Sequence, residues 1–165
     1  MPGNNHFLYP GAMMVSGGLA RISTILGSCV AVCLWDPVRT IGGINHYLLP
    51  YWNGEGLPTP RYGNVAITRL CEQMQRRGSD RGDLVAKVFG GAHINAGAGG
   101  LFLVGDRNVQ VAREVLAELA IPVVGLDVGG VKGRKVIFDT GTGTVYIARS
   151  RDRDETSPAG GDEGP

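Results

Sequence analysis

Cys29 and His46 are the two side chains whose types and neighbours suit covalent catalysis. Cys29 sits in Leu26-Gly27-Ser28-Cys29-Val30. A nucleophilic cysteine needs its sulfur at an edge, and a glycine two residues earlier lets the backbone turn sharply and approach a substrate. Free amides of such a turn, about Gly27, Ser28 and Cys29, can donate to an oxyanion. His46 lies in Gly42-Gly43-Ile44-Asn45-His46-Tyr47. An imidazole within reach of a thiol favours the thiolate and can later protonate a leaving amine. Taken alone, Cys29 reads as a small core residue and His46 as a hydrogen-bonded structural histidine; together they read as a pair.

A third group must hold the imidazole in its working orientation. Ser23 and Thr24 offer hydroxyls on the strand entering Cys29, and alternation allows only one of them to face the site. Asn45, next to His46, points to the opposite face by the same rule. His6 in the N-terminal segment and His93 in a glycine-rich stretch are weaker candidates. Three cysteines, Cys29, Cys33 and Cys71, cannot all pair within one chain, and no Cys-x-x-Cys occurs. Free thiols and no structural zinc are the expectation.

The elements that position these groups follow from periodicity. Val30–Leu34 is a short, β-branched apolar run and reads as a buried strand, broken by Asp36-Pro37. Residues 41–49 form a second such run, so Cys29 and His46 fall on neighbouring strands. Residues 50–62, with three prolines and two glycines, read as a loop. Ile67, Leu70, Cys71 and Met74 make one helical stripe that stops at Gly78, with Cys71 buried on it. Val85–Phe89 and Leu101–Val104 read as strands on either side of the glycine-rich residues 90–100. Ala112, Val115, Leu116 and Leu119 repeat the helical pattern over residues 108–119, with Asn108 as candidate N-cap. Residues 121–128, 135–138 and 145–148 complete the strands, the last two joined at Gly141-Thr142-Gly143. Helices that do not alternate with strands indicate an α+β fold. The expected organisation is a partly irregular N-terminal segment over 1–18, a catalytic domain over 19–150 and a disordered tail over 151–165, which has no large apolar side chain.

The totals exclude several classes. The chain has 165 residues, enough for one domain, and 43% are hydrophobic, enough for a core. Its net charge is +1, so no field draws a phosphate backbone, and nucleic acid is not expected as a partner. No apolar run reaches the roughly 20 residues of a membrane helix, and residues 1–18 do not read as a secretory signal. The expected location is the cytoplasm, without membrane insertion.

At these residues the sequence resembles the chemoreceptor glutamine deamidase (CheD) family. The resemblance is carried by residues 26–34, LGSCVAVCL, and 42–46, GGINH. It continues through 87–92, KVFGGA; 105–108, GDRN; 127–130, DVGG; and 133–136, GRKV. These six blocks run in family order across about residues 20–147. The resemblance implies a β-sandwich flanked by helices and a catalytic cysteine, histidine and hydroxyl residue. Cys29 and His46 match the first two; the third, commonly threonine, falls by distance on Ser23, with Thr24 beside it. It also implies hydrolysis of receptor glutamines to glutamate and ammonia through a cysteine thioester, without metal or organic cofactor. The implied partners are methyl-accepting chemoreceptor cytoplasmic helices and a CheC-type phosphatase. The other readings are a non-catalytic module that stimulates such a phosphatase, an esterase acting on methylated receptor glutamates, and a cysteine peptidase.

Overall fold

The computed structural model describes residues 4–93 and 100–150. The expected tail over 151–165 lies outside the described residues, as does most of the glycine-rich stretch at 94–99. Among the described residues nine strands form two mixed sheets. The first sheet has the order β1 (Asn5–Phe7), β3 (Arg21–Leu26), β8 (Arg134–Asp139), β9 (Val145–Arg149). The second has the order β2 (Met13–Ser16), β5 (Ile41–Asn45), β4 (Val30–Asp36), β6 (Val85–Gly90), β7 (Val123–Val128). Two α-helices stand beside them among the described residues: α1 (Gly63–Arg76) and α2 (Gly100–Glu118). This is the α+β sandwich with flanking helices that the sequence indicated.

Burial explains why the strands differ in pattern. Ile22 and Leu26 of β3 and Val136 and Phe138 of β8 pack against Ala31, Cys33, Ile44 and Phe89 of the second sheet. The opposite face of that sheet, through Val30, Val32, Leu34 and Val88, meets the apolar stripes of the helices. The second sheet is thus covered on both faces, which is why β4 is a continuous apolar run. The first sheet is covered on one face only, so β3 alternates between buried and exposed residues. Each fully buried Leu, Ile or Phe contributes about 1.5–3 kcal/mol, so this inter-sheet layer is a large share of the stability.

Two expectations are corrected. Leu101–Val104 is not a strand but the first part of α2, which runs from Gly100 to Glu118. An apolar run of four residues has no period of its own, and here it continues the helical phase of the residues after it. Asn108 accordingly sits inside α2, fully buried, and caps nothing. Residues 1–18 supply β1 parallel to β3 and β2 antiparallel to β5. These strands of three and four residues have no fully buried side chain, so they carry no apolar signature.

The end of β6 is shaped around Cys29. Gly90 has φ +109°, and a Cβ there would stand 2.2 Å from the Cys29 carbonyl oxygen. Gly90→Ala is therefore expected to lower stability by about 2–4 kcal/mol, from left-handed backbone strain and displacement of the Cys29 loop together. Urea denaturation checks this; a loss below about 1 kcal/mol would contradict the close approach.

Candidate active site

Cys29 occupies the last residue of the Gly27-Ser28-Cys29 loop before β4. His46 follows directly on β5, and the antiparallel register pairs Cys33 with Ile44 and Val30 with Tyr47. Continued by one step, that register sets Ala31 opposite His46, with Cys29 its diagonal neighbour on the same face. Diagonal neighbours have Cα atoms about 7–8 Å apart and Cβ atoms somewhat closer, within reach of long side chains. Both face the inter-sheet layer rather than the helices. Cys29 is part-buried against that layer, and His46 is only 2% exposed.

The hydroxyl beside the imidazole belongs to Thr24, not Ser23. Thr24 Oγ1 lies 2.7 Å from His46 Nδ1, and both groups are buried. Ser23 faces outward, donates a long hydrogen bond to the His6 carbonyl at 3.5 Å, and lines a recess with Asn5, Arg21 and Lys135. Alternation along β3 is the reason. Ile22, Thr24 and Leu26 point into the sandwich, whereas Arg21, Ser23 and Ile25 point away. The pattern was present in the sequence as Arg21 beside Ile22, but the exposed Ile25 obscured it.

Thr24 also fixes which imidazole nitrogen carries the proton. Its hydroxyl donates to the Leu8 carbonyl oxygen at 2.7 Å. A hydroxyl has one hydrogen, and a carbonyl oxygen can only accept. Thr24 Oγ1 must therefore accept from His46, so Nδ1 bears the hydrogen and Nε2 a bare lone pair. Nε2 is buried and has no hydrogen-bond partner among the described residues. The thiol and the imidazole are thus on one face without a closed hydrogen bond between them. Leu8 is a contributor that sequence reasoning missed. It acts through its main chain, just beyond β1, and its amide is anchored by the Ser23 carbonyl at 2.8 Å.

The electrostatics differ from the thiolate that the sequence suggested. Burial pushes the His46 pKa down from 6.5 to about 4. Burial pushes the Cys29 thiol up from its ordinary value, partly opposed by the positive charge of Arg61. Both shifts have one cause: the inter-sheet layer disfavours charge. At neutral pH the resting pair is a neutral thiol and a neutral imidazole.

The backbone around Cys29 is held by its carbonyls. The Gly27 oxygen accepts from Ala92 N at 2.9 Å and the Cys29 oxygen from Gly91 N at 2.9 Å. The Ser28 oxygen accepts from Asn108 Nδ2 at 3.0 Å. The N–H groups of Ser28 and Cys29 make no hydrogen bond among the described residues. A trans peptide points its N–H opposite its carbonyl, so the Ser28 N–H points away from Ala92 and the Cys29 N–H away from the Asn108 side chain. Of the other candidates, Asn45 faces away from His46 and accepts from Val32 N at 2.9 Å, and His93 pairs with Asp106 at 2.5 Å. The three cysteines are free thiols, and Cys71 is buried as expected. Among the described residues no cluster of three His, Cys, Asp or Glu side chains is placed to hold a metal.

The family model for CheD chemotactic sensory transduction matches residues 48–149. This chain belongs to the CheD family. The CheD match begins two residues after His46, but similarity to individual relatives extends further. A probable chemoreceptor glutamine deamidase CheD of Trichlorobacter lovleyi is 47% identical over 154 residues, 93% of this chain and 96% of the relative. The protein of the same name from Sulfurimonas denitrificans is 45% identical over 144 residues, 86% of this chain and 91% of the relative. The probable chemoreceptor glutamine deamidase CheD 1 of Anaeromyxobacter dehalogenans is 46% identical over 141 residues, 86% of this chain and 82% of the relative. Among the described residues no helix is long and apolar enough to cross a membrane.

The neutral resting pair has a direct readout in thiol chemistry. Cys29 alkylation by iodoacetamide should keep rising through alkaline pH, without the neutral-pH plateau of an ion-paired thiolate. Arg61→Ala should slow it further, by about two- to threefold, as befits a partly screened charge. A plateau already reached near about pH 6–7 would contradict the neutral pair.

Proposed function

We propose that this chain hydrolyses glutamine side chains on the cytoplasmic helices of chemoreceptors to glutamate and ammonia. Cys29 is the nucleophile, His46 its base and Thr24 the orienting hydroxyl. The names of the relatives support the substrate and the reaction. The cysteine mechanism rests on one observation above all. The Thr24–Leu8 hydrogen bond leaves His46 Nε2 as a lone pair, on the face that also carries Cys29. The reaction belongs to chemotactic adaptation and proceeds in the cytoplasm. The catalytic unit runs over residues 19–150, with the 1–18 segment contributing the Leu8 carbonyl. A CheC-type phosphatase is the expected regulatory partner.

The steps balance without a cofactor. Cys29 Sγ attacks the glutamine Cδ as His46 Nε2 takes the thiol proton. The carbonyl oxygen becomes an oxyanion facing the free N–H groups of the Gly27-Ser28-Cys29 loop, from Ser28 and Cys29. As the oxyanion collapses, the C–N bond breaks, and His46 returns its proton to the nitrogen, which leaves as ammonia. Water then attacks the thioester carbonyl and loses a proton to His46. The sulfur leaves and recovers that proton, releasing glutamate. Thr24 keeps Nδ1 protonated throughout and stabilises the imidazolium formed in each half.

Incubation with purified receptor cytoplasmic helices, followed by mass spectrometry, should reveal Gln converted to Glu. Cys29→Ala should abolish that conversion and ammonia release while the protein stays folded. Full activity of that variant would refute the assignment, and methanol release in place of ammonia would indicate an esterase. Thr24→Val should lower the rate by about 10- to 100-fold, whereas Ser23→Ala should stay within about twofold. Equal losses in the two would contradict the assignment of the hydroxyl. Because His46 must be neutral to act, the free-enzyme profile should lose activity as pH falls through about 4, not through 6.5.

A further inference from the structure

Asn108 is the one polar side chain of α2 that is fully buried among the described residues, and the mechanism above does not use it. It projects from inside the helix to the two segments that carry the site. Its Nδ2 lies 3.0 Å from the Ser28 carbonyl oxygen and 3.0 Å from the Leu48 carbonyl oxygen. Two acceptors on one end of a side-chain amide require the NH2 there, so its orientation is set by chemistry. Its own Oδ1 is buried with no partner among the described residues. An unmet buried acceptor costs about 1–3 kcal/mol, offset in part by the two hydrogen bonds of Nδ2.

The helix is brought close enough for this contact by Gly105. A Cβ there would stand 2.7 Å from the Ala92 oxygen and 2.8 Å from the Gly91 oxygen. Asn108 follows three residues later on the same face. The Tyr47 hydroxyl closes the arrangement by donating to the Asn108 main-chain oxygen at 2.5 Å. Gly105 and Asn108 are the first and last residues of the Gly105-Asp106-Arg107-Asn108 block.

We propose that Asn108 is a positioning residue that holds the Ser28–Cys29 peptide so that the Cys29 N–H points at the developing oxyanion. This rests on the cysteine mechanism above and adds the support for its anion-binding amide. The Gly27 and Cys29 carbonyls are each fixed by main-chain amides, whereas among the described residues Ser28 is fixed by the Asn108 side chain alone. Rotation of that one peptide would remove a donor from the oxyanion. Removing one such donor elsewhere lowers kcat by about 10²–10³-fold, and loosening it has a smaller effect.

The test separates acyl chemistry from simple thiol reactivity. Asn108→Ala should lower kcat for receptor deamidation by about 10- to 100-fold with KM within about threefold. Alkylation of Cys29 by iodoacetamide, which forms no oxyanion, should stay within about threefold of wild type. A parallel fall in both rates, or wild-type kcat in the folded variant, overturns the proposal. If the alanine variant does not fold, Asn108→Asp keeps the shape and regains a donor only when protonated. Its kcat should rise from about pH 8 to about pH 5, where wild type is flat; a flat or falling profile overturns the proposal. If neither variant folds, hydrogen exchange on the wild type decides. The Asn108 side-chain amide should exchange slowly, and the Cys29 N–H should become protected when a glutamine-derived aldehyde adds to the thiol; fast exchange at either overturns the proposal. A wild-type protein that neither deamidates nor forms that adduct would instead refute the cysteine mechanism itself.

Discussion

The site depends on a single hydrogen atom, the one on the Thr24 hydroxyl. Because that atom is given to the Leu8 carbonyl, Thr24 can only accept from His46, and the imidazole is left with Nδ1 protonated and Nε2 bare. The proposed base needs a lone pair at the nitrogen facing its acid, and this tautomer supplies one. The chain that settles it begins at β1. Parallel pairing of β1 with β3 carries Leu8 over Thr24, and antiparallel pairing of β4 with β5 carries His46 toward Cys29. One sheet thus orients the imidazole and the other supplies the imidazole and the thiol.

Placing this chemistry between two sheets has an electrostatic consequence. The same apolar layer that stabilises the sandwich disfavours both a thiolate and an imidazolium, lowering the His46 pKa and raising that of Cys29. In the proposed reaction charge appears only transiently, where fixed dipoles await it: main-chain amides for the oxyanion and the Thr24 oxygen for the imidazolium. Preorganised dipoles in a dry site act more strongly than the same groups in water. A neutral resting thiol is also a poor target for adventitious oxidation, since reactivity follows thiolate character.

Much of this was legible in the sequence, for physical reasons that also mark where reading failed. The turn at Gly27 and the strand pair around Asp36-Pro37 located Cys29 and His46, because chain breaks and β-branched runs are local signals. The choice between Ser23 and Thr24 depended on which face of β3 is buried, and Ile25 on the outer face blurred an alternation that Arg21 and Ile22 otherwise display. Leu101–Val104 read as a strand because four apolar residues are too few to show a period. Asn108 read as a helix cap because asparagine usually serves there, whereas its actual partners are 80 and 60 residues away in sequence. Leu8 was beyond reach, since its role belongs to a backbone carbonyl and to a pairing between strands that no local pattern reveals.

Nitrogen-15 NMR of the His46 ring at neutral pH tests this account most directly, because it reports the proton on each nitrogen. The predicted spectrum has a proton on Nδ1, shared with Thr24, and the shift of an unprotonated nitrogen at Nε2. A proton on Nε2, or the paired shifts of an imidazolium, would contradict it and leave Cys29 without its base.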